Sequence, residues 1–554
     1  MEFESEDSAY KCYSMYAVLK GFSIRKDFVN KSRINGTVVS RRYTCHRQGY
    51  RPNKNGTYLR KFQKETRTGC LAHMTIARQP NGKFQVTHFE TEHNHEFVKP
   101  CTAHMLPSQK KLSFAQAIEA NLTVSEIEDG SNMVPTSTSE TNCKARLDYD
   151  PVNHEYKLPF KCSSKMKGEI EKIKLHFQIK QRKNPSFFYA FQLDADDQIT
   201  NTFWADIKMI IDYTDFGDVV CFDSSYKYYK DSWPFVPFLG INNHQQMTIF
   251  GVALLQNESV ESLKWLFIVF LEAMSGRKPK TILTDLDVVT AEAINVILPQ
   301  TNHRVCVWHV YQDALKHLSH VSAGSDSFIN DLRSCLFHHE EEDYFVNEWN
   351  ALLDKYNLWE NEWLQQIFGS RHRWAIAYGR QYFCADIESV LLRQNLTGNL
   401  KRYLKHDSDI LPLFKYLVKV VTDWHYKELE ANYDMNQRMP PLLGDIITLK
   451  HARVPYTPKI FELFQKEYEA CLNLVIKHCT ENGSFYNYKV SVYEQAREYS
   501  VTFDSSDETI SCSCMKFEYV GILCCHALKV LDYVNIRIVP SRYILKRWTK
   551  DARV

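Results

Sequence analysis

The pattern of apolar and polar positions changes character several times along the chain. In residues 1–99 the apolar runs are short and rich in β-branched or aromatic residues, as in Thr37-Val38-Val39-Ser40 and Phe84-Gln85-Val86-Thr87, with Asn35-Gly36, Asn55-Gly56 and Asn81-Gly82 between such runs. Asn-Gly supplies the positive φ that tight turns need, so this stretch predicts a small β-rich module. From Phe187 the pattern turns α/β: a buried run Val219-Val220-Cys221-Phe222, β runs over 235–241 and 248–255, and a helix over 259–274. A strand Thr281-Ile282-Leu283-Thr284, a helix over 291–298 and a strand over 304–308 follow. Three strands, a helix, then alternating strand and helix is the order of a ribonuclease-H-like core. Residues 310–480 read as almost wholly helical, and β character returns after Gly483, over 486–492 and 499–503. Between the first two patterns, residues 123–143 are Ser/Thr-rich, acidic and poor in aromatics, a composition that does not repay the entropy of ordering.

The expected organisation is a multidomain α+β chain: a basic module at 1–99, a linker at 100–185, a core with helical insertion at 186–425, a helical and strand connection at 426–498, a cysteine-rich finger at 499–535, and a tail at 536–554. A length of 554 residues is too great for one core, and with 44% apolar and 24% charged residues there is material for several. The longest apolar run, Trp265 to Leu271, falls far short of the ~20 residues that span a bilayer, so no membrane association is expected. The first residues are acidic, unlike a secretory leader, and the 16 cysteines are therefore expected as reduced thiols, some of them metal ligands.

Local charge changes the picture more than the net +2 does. Between Lys20 and Arg67 stand fourteen Lys/Arg against Asp27 and Glu65, a density suited to a polyanion.

The strongest chemical signal is Cys512-Ser513-Cys514 followed, after nine intervening residues, by Cys524-Cys525-His526. Cys512, Cys514, Cys524 and His526 supply four N/S donors for a closed tetrahedral Zn²⁺ site, with Cys525 pointing away as a spare thiol. A second set lies in the basic module: Cys45, Cys70, His93 and His95, the two histidines sharing a face if their segment is a strand. His46, His73 and His88 are competing ligands there. Zinc at this place would hold Arg41, Arg42, Arg47 and Arg51 on a rigid platform, able to contact phosphates or guanine edges of double-stranded DNA. In the core, Asp223 and Asp285 each end a strand, and adjacent central strands would bring them together as a two-metal phosphoryl-transfer site requires. Cys306 and His309, three apart, suit packing and hydrogen bonding better than a metal.

These residues resemble the far-red-impaired-response family of plant proteins. The resemblance is carried by Phe3-Glu4-Ser5, Gly21 through Arg25, Thr66-Arg67-Thr68-Gly69-Cys70 and Glu92-His93-Asn94-His95. It continues in Phe216 through Val220, Trp233-Pro234-Phe235, Phe250 through Leu255, and Cys512 through His526. It implies a nuclear DNA-binding transcription regulator derived from a Mutator-like transposase, with an N-terminal zinc module related to WRKY domains and a C-terminal SWIM zinc finger. By position the ancestral acidic triad falls on Asp223, Asp285 and Gln394. The third residue is an amide, so the site is expected to be catalytically dead, with Glu388 six residues earlier as the nearest substitute. In the regulator the core and finger are expected as scaffold or as a surface for protein partners or a second copy of the chain. Two alternatives stay open: a working Mg²⁺-dependent transposase, and a protein-interaction adaptor that uses its finger and binds DNA only nonspecifically. Two carboxylates without a cation should repel, so Asp223→Asn is expected to leave the core as stable or more so.

Overall fold

A computed structural model of the chain describes residues 1–34, 36–50, 67–98, 106, 148–150, 155–157, 167–195, 198–224, 226–228, 233–322, 326–338, 340–393 and 410–553. The 123–143 linker, Asn55-Gly56, Arg51 and Gln394 lie outside the described residues. The chain divides into two compact units, Met1–Cys143 with His425–Pro441, and Lys144–Trp424 with Leu442–Val554.

The first unit is built on an antiparallel sheet of five strands in the order Glu2–Phe3, Phe84–Glu90, His73–Arg78, Val38–Cys45, Ile24–Lys31. Against one face lies a helix, Glu6–Lys20, which the β-type reading of residues 1–99 did not include. Its signals are local. Ser5 accepts from the Ser8 amide at the N-terminus, Glu6 and Asp7 favour the positive end of the dipole, and Gly21 ends it with φ +86°. Ala9, Tyr13 and Ala17 pack on Tyr43, Met74 and Ile76, and the Tyr43 hydroxyl donates to the Glu6 carbonyl at 2.8 Å. Gly21 has a second duty: a Cβ there would stand 2.1 Å from the Val98 carbonyl oxygen, and the Val98 amide donates to Gly21 at 2.7 Å.

The second unit centres on a mixed sheet. Val219–Phe222 pairs in parallel with Thr281–Thr284, and that strand in parallel with Asn302–Val305. On the other side Trp233–Ile241, Met247–Leu254, Ile199–Ala205 and Phe188–Leu193 continue antiparallel. The helix Val260–Ala273 buries Leu263, Trp265, Leu266, Phe267 and Phe270 on this sheet, with Phe270 stacked on Phe238 at 4.1 Å between ring centroids. Several details differ from the sequence reading, among them the helix Lys167–Lys183, which lies within the stretch expected as linker and buries Ile173 and Phe177 in the core. The strand expected at 304–308 stops at Val305, and Cys306 begins a helix, Val307–His317, because Val307, Val310, Tyr311 and Ala314 are buried at helical spacing. The second sheet starts at Leu474, before Gly483, which at φ +63° turns the hairpin between Leu474–Asn482 and Phe485–Val492. That sheet continues through Tyr499–Asp504 and Thr509–Cys512, and its helix Cys525–Tyr533 shares one continuous apolar core with the larger sheet.

Candidate metal centres and the paired acids

Cys45 closes the strand Val38–Cys45, Cys70 precedes His73–Arg78, and His93 and His95 follow Phe84–Glu90. The two histidines are thus beyond the strand, and what converges them is a clamp on the residue between. The Asn94 side chain donates to the Thr68 carbonyl at 2.7 Å and accepts from the Thr68 hydroxyl at 2.9 Å. The four donor atoms lie within 4.8 Å of one another, with Cys45 Sγ 3.2 Å from His95 Nε2 and Cys70 Sγ 3.4 Å from His93 Nδ1. A tetrahedral ion with ligands at ~2.0–2.3 Å spaces them in about this way, so the set fits zinc. The outer contacts suit it too. His95 Nδ1 faces the Glu96 carbonyl at 3.0 Å, which turns Nε2 towards the centre, and the Arg47 amide donates to Cys45 Sγ at 3.5 Å. Burial holds His93 down at about 4, hence as a neutral ligand, and pushes the Cys45 thiol up to about 12, a cost a cation would reverse. His46, His73 and His88 stand outside the cluster.

The arginines of the platform separate by strand alternation. Arg41 shares the helix face with Tyr43, and its Nε lies 3.3 Å from Glu6 Oε1. Arg42 points to the opposite face, where the pairing register sets Arg25 beside Thr44 and Thr75 beside Arg42. Arg47 donates to the Asn436 carbonyl and to Gln437 Oε1, contacts between residues 389 and 390 apart in sequence that spacing rules do not reveal.

In the second centre, Cys512 ends a strand, Cys514 sits in the following turn, Cys524 caps the helix Cys525–Tyr533 by accepting from the Ala527 amide, and His526 lies in that helix's first turn. All four donors again lie within 4.8 Å. Hydrogen bonds from Cys512 and Cys524 hold Cys514 as the thiolate, and Tyr499 stacks on His526 at 3.7 Å between centroids. Cys525 is outside the cluster; its amide donates to Glu467 Oε2 at 2.9 Å.

This centre is fastened to segments that pack around the larger sheet. Arg380 donates to the Cys514 carbonyl, and Trp548 Nε1 donates to the Val520 carbonyl at 2.9 Å. The Tyr519 carbonyl accepts from the amides of Cys384 and Ala385 at 2.9 and 3.0 Å, holding Ala385 and Asp386 at φ +53° and +58°. Two successive non-glycine residues in that region carry strain, so the bonds are constraining. The Tyr519 hydroxyl donates to Glu388, whose other oxygen accepts from the Val307 amide at 2.8 Å.

Asp223 and Asp285 follow strands paired in parallel with Cys221 opposite Leu283, which sets the two carboxylates side by side. Ser224 donates to Asp285 at 3.3 Å, and burial raises the Asp285 carboxyl. The sequence reading gave His309 a packing and hydrogen-bonding role and did not place it beside these acids. His309 Nε2 lies 3.3 Å from Asp223 Oδ2, both groups buried, without the alignment of a hydrogen bond. Burial lowers the imidazole, yet Asp223, Cys306 and Asp285 together outweigh it and hold His309 up at about 10.

Family models match three stretches: a FAR1 DNA-binding domain over residues 11–99, a MULE transposase domain over 219–313 and a SWIM zinc finger over 488–535. The first holds the Cys45 centre, the second Asp223, Asp285 and His309, and the third the Cys512 centre. Among curated proteins of Arabidopsis thaliana, FAR1-RELATED SEQUENCE 5 is 33% identical over 563 residues, covering 100% of this chain and 71% of its own. FAR1-RELATED SEQUENCE 4 is 30% identical over 560 residues (100% and 74%), and FAR-RED IMPAIRED RESPONSE 1 is 28% identical over 559 (100% and 67%). With three matching domains in order and end-to-end similarity at this level, the chain belongs to the FAR1 (far-red-impaired-response) family.

Proposed function

We propose that the protein is a nuclear, sequence-specific DNA-binding transcription regulator whose zinc module, of WRKY-like type, reads DNA. In this reading the core is ribonuclease-H-like, descends from a Mutator-like transposase and no longer catalyses. The observation that carries the reading is the Cys45–Cys70–His93–His95 cluster, which ties together the ends of three strands in a strongly basic module within the matched DNA-binding domain. The partly exposed Arg25 and the segment beyond Cys45 are the surfaces offered to the duplex. Two contacts support a core without catalysis. The buried His309 imidazole lies 3.3 Å from Asp223, beside the place a divalent ion would occupy, and both oxygens of Glu388 are engaged. Selection of binding sites from random duplex DNA by the full chain, with and without a zinc chelator, tests the reading: a recovered consensus that chelation abolishes is expected. Recovery of no sequence preference favours the adaptor. Plasmid nicking in Mg²⁺ or Mn²⁺ that Asp223→Asn removes favours the transposase.

A further inference from the structure

The helix Ile410–Gln437 ends in the first unit, which includes His425–Pro441. Arg47, two residues beyond Cys45, donates through Nη2 to the Asn436 carbonyl and through Nε to Gln437 Oε1 at 3.4 Å. A guanidinium on the last carbonyls of a helix is favoured by their partial negative charge. The consequence concerns the next residue, because this contact delivers Arg438 to the zinc module. Two further arginines arrive by other routes. Arg25 donates to the carbonyl and side chain of Gln48, each at 3.3 Å, and Arg67 precedes Thr68, whose amide donates to the Arg47 carbonyl at 2.9 Å. Arg25, Arg47, Arg67 and Arg438 all act electrostatically on His46, the residue between Cys45 and Arg47.

Among the described residues, the acids seen facing this group are weakly committed. Asp27 is 3.5 Å from Arg25 and Asp434 is 3.9 Å from Arg438, both pairs partly exposed, and Glu96 acts on Arg47. Exposed pairs at such distances contribute little, whereas a guanidinium on a phosphate forms short charge-assisted bonds. A Cys₂His₂ zinc centre with two thiolates is neutral overall, so it does not offset the cluster.

We propose that Arg438 completes, with Arg25, Arg47 and Arg67, a site for a backbone phosphodiester of duplex DNA, so that the DNA-binding surface includes the end of a helix far along the chain. The inference rests on the DNA-binding reading above and adds to it a residue outside the matched domain at 11–99. A phosphate contact positions without reading sequence, so its loss weakens every duplex alike.

The test uses the full chain, a labelled random-sequence duplex and fluorescence anisotropy over roughly 50–200 mM salt. Arg438→Ala is expected to bind several-fold more weakly, with the slope of log affinity against log salt shallower by about 0.9, the value of one phosphate contact. Arg438→Lys should restore the slope, and Asp434→Asn, which frees the arginine, should bind more tightly than the natural chain. Zinc content should be the same in all. Salt-dependent binding by the natural chain with no change in either Arg438→Ala or Asp434→Asn would overturn the phosphate site alone. Failure of the natural chain to bind duplex DNA would overturn the DNA-binding reading and this site with it.

Discussion

Tyr519→Phe removes one oxygen from the place where the cysteine-rich finger meets the larger sheet. The hydroxyl donates to a carboxylate, Glu388, that is 4% exposed and whose other hydrogen bond among the described residues comes from the Val307 amide. A hydrogen bond to a charged group contributes ~1.5–3 kcal/mol, and the ring itself still fills its space, so a loss of about 2 kcal/mol is expected. The carbonyl bonds of Tyr519 to Cys384 and Ala385 belong to the backbone and survive the substitution. No zinc donor is touched, so the metal should stay. Hydrogen exchange of the full chain gives the readout: amides of the helices Val307–His317 and Ile387–Arg393, which Glu388 connects, should exchange faster, by about thirtyfold where the opening carries the full 2 kcal/mol. The sign with pH follows from Glu388. Burial raises its carboxyl, opposed by the Tyr519 and Val307 bonds, so the folded form keeps a proton to higher pH than the unfolded one, and the stability this group contributes falls as pH climbs through that range. Without the hydroxyl the carboxyl rises further, and the deficit should be larger at neutral than at mildly acidic pH. Unchanged exchange in both helices with zinc retained would refute the lock, and loss of zinc would show that Tyr519 acts through the metal centre instead.

Cys70→Ser should bind one zinc fewer than the natural chain, unfold the N-terminal module and lose DNA binding; full zinc content with normal affinity would remove Cys70 from the ligands. His309, held at about 10 against an unfolded value near 6.5, contributes stability that is present below that lower value and is lost as pH rises through the upper one. His309→Gln should flatten that part of the stability profile, and an unaltered profile would count against the ion pair. Asp223→Asn should lower the melting temperature, the reverse of what mutual repulsion of two acids suggested, because the imidazolium loses its partner. Arg547→Ala should destabilise the second unit by roughly 3 kcal/mol, since it strips the Phe216 and Ile241 carbonyls and Asp218 of a buried donor; a thermal shift near zero would show that the final residues are dispensable.

What could be read in the sequence was local or carried by spacing. Both Cys/His sets are short-range patterns with a chemical reason, and each contains the four residues that the fold gathers. The pairing of Asp223 with Asp285 followed from two β runs ending in an acid. The place of His309 beside Asp223 is not legible because its segment reads as strand, whereas Cys306 starts a helix whose first turn carries the ring to Asp223. The role of the C-terminal residues escaped for another reason. Arg547 reaches Asp218 and Arg553 reaches Asp212 and Asp215, pairs whose members lie more than 300 residues apart, and no periodicity encodes such a contact. Arg41 illustrates the middle case: once the strand is known, alternation alone sends it to the helix side, where Glu6 takes its charge.

The contacts of the finger bear on what the whole second unit is for. A zinc finger that serves as a detachable hook would keep its polar groups to itself and present an apolar or charged face to partners. Here Tyr519 alone supplies a hydroxyl and a carbonyl to the larger sheet's surroundings, Arg380 returns a guanidinium to the Cys514 carbonyl, and Gly521 lies so close to Leu545, Trp548 and Phe383 that a Cβ would stand 2.5 Å from the first of them. From the zinc ligands the chain of contacts runs through Tyr519 to Glu388, from Glu388 to the amide that opens the helix of His309, and from His309 to Asp223. Each link is a buried polar contact that is costly to leave half-made. A metal held by these four ligands would therefore organise the interior around the paired acids as well as its own loop, and a regulator that kept its transposase core as scaffold would have to keep the finger to hold that core in shape.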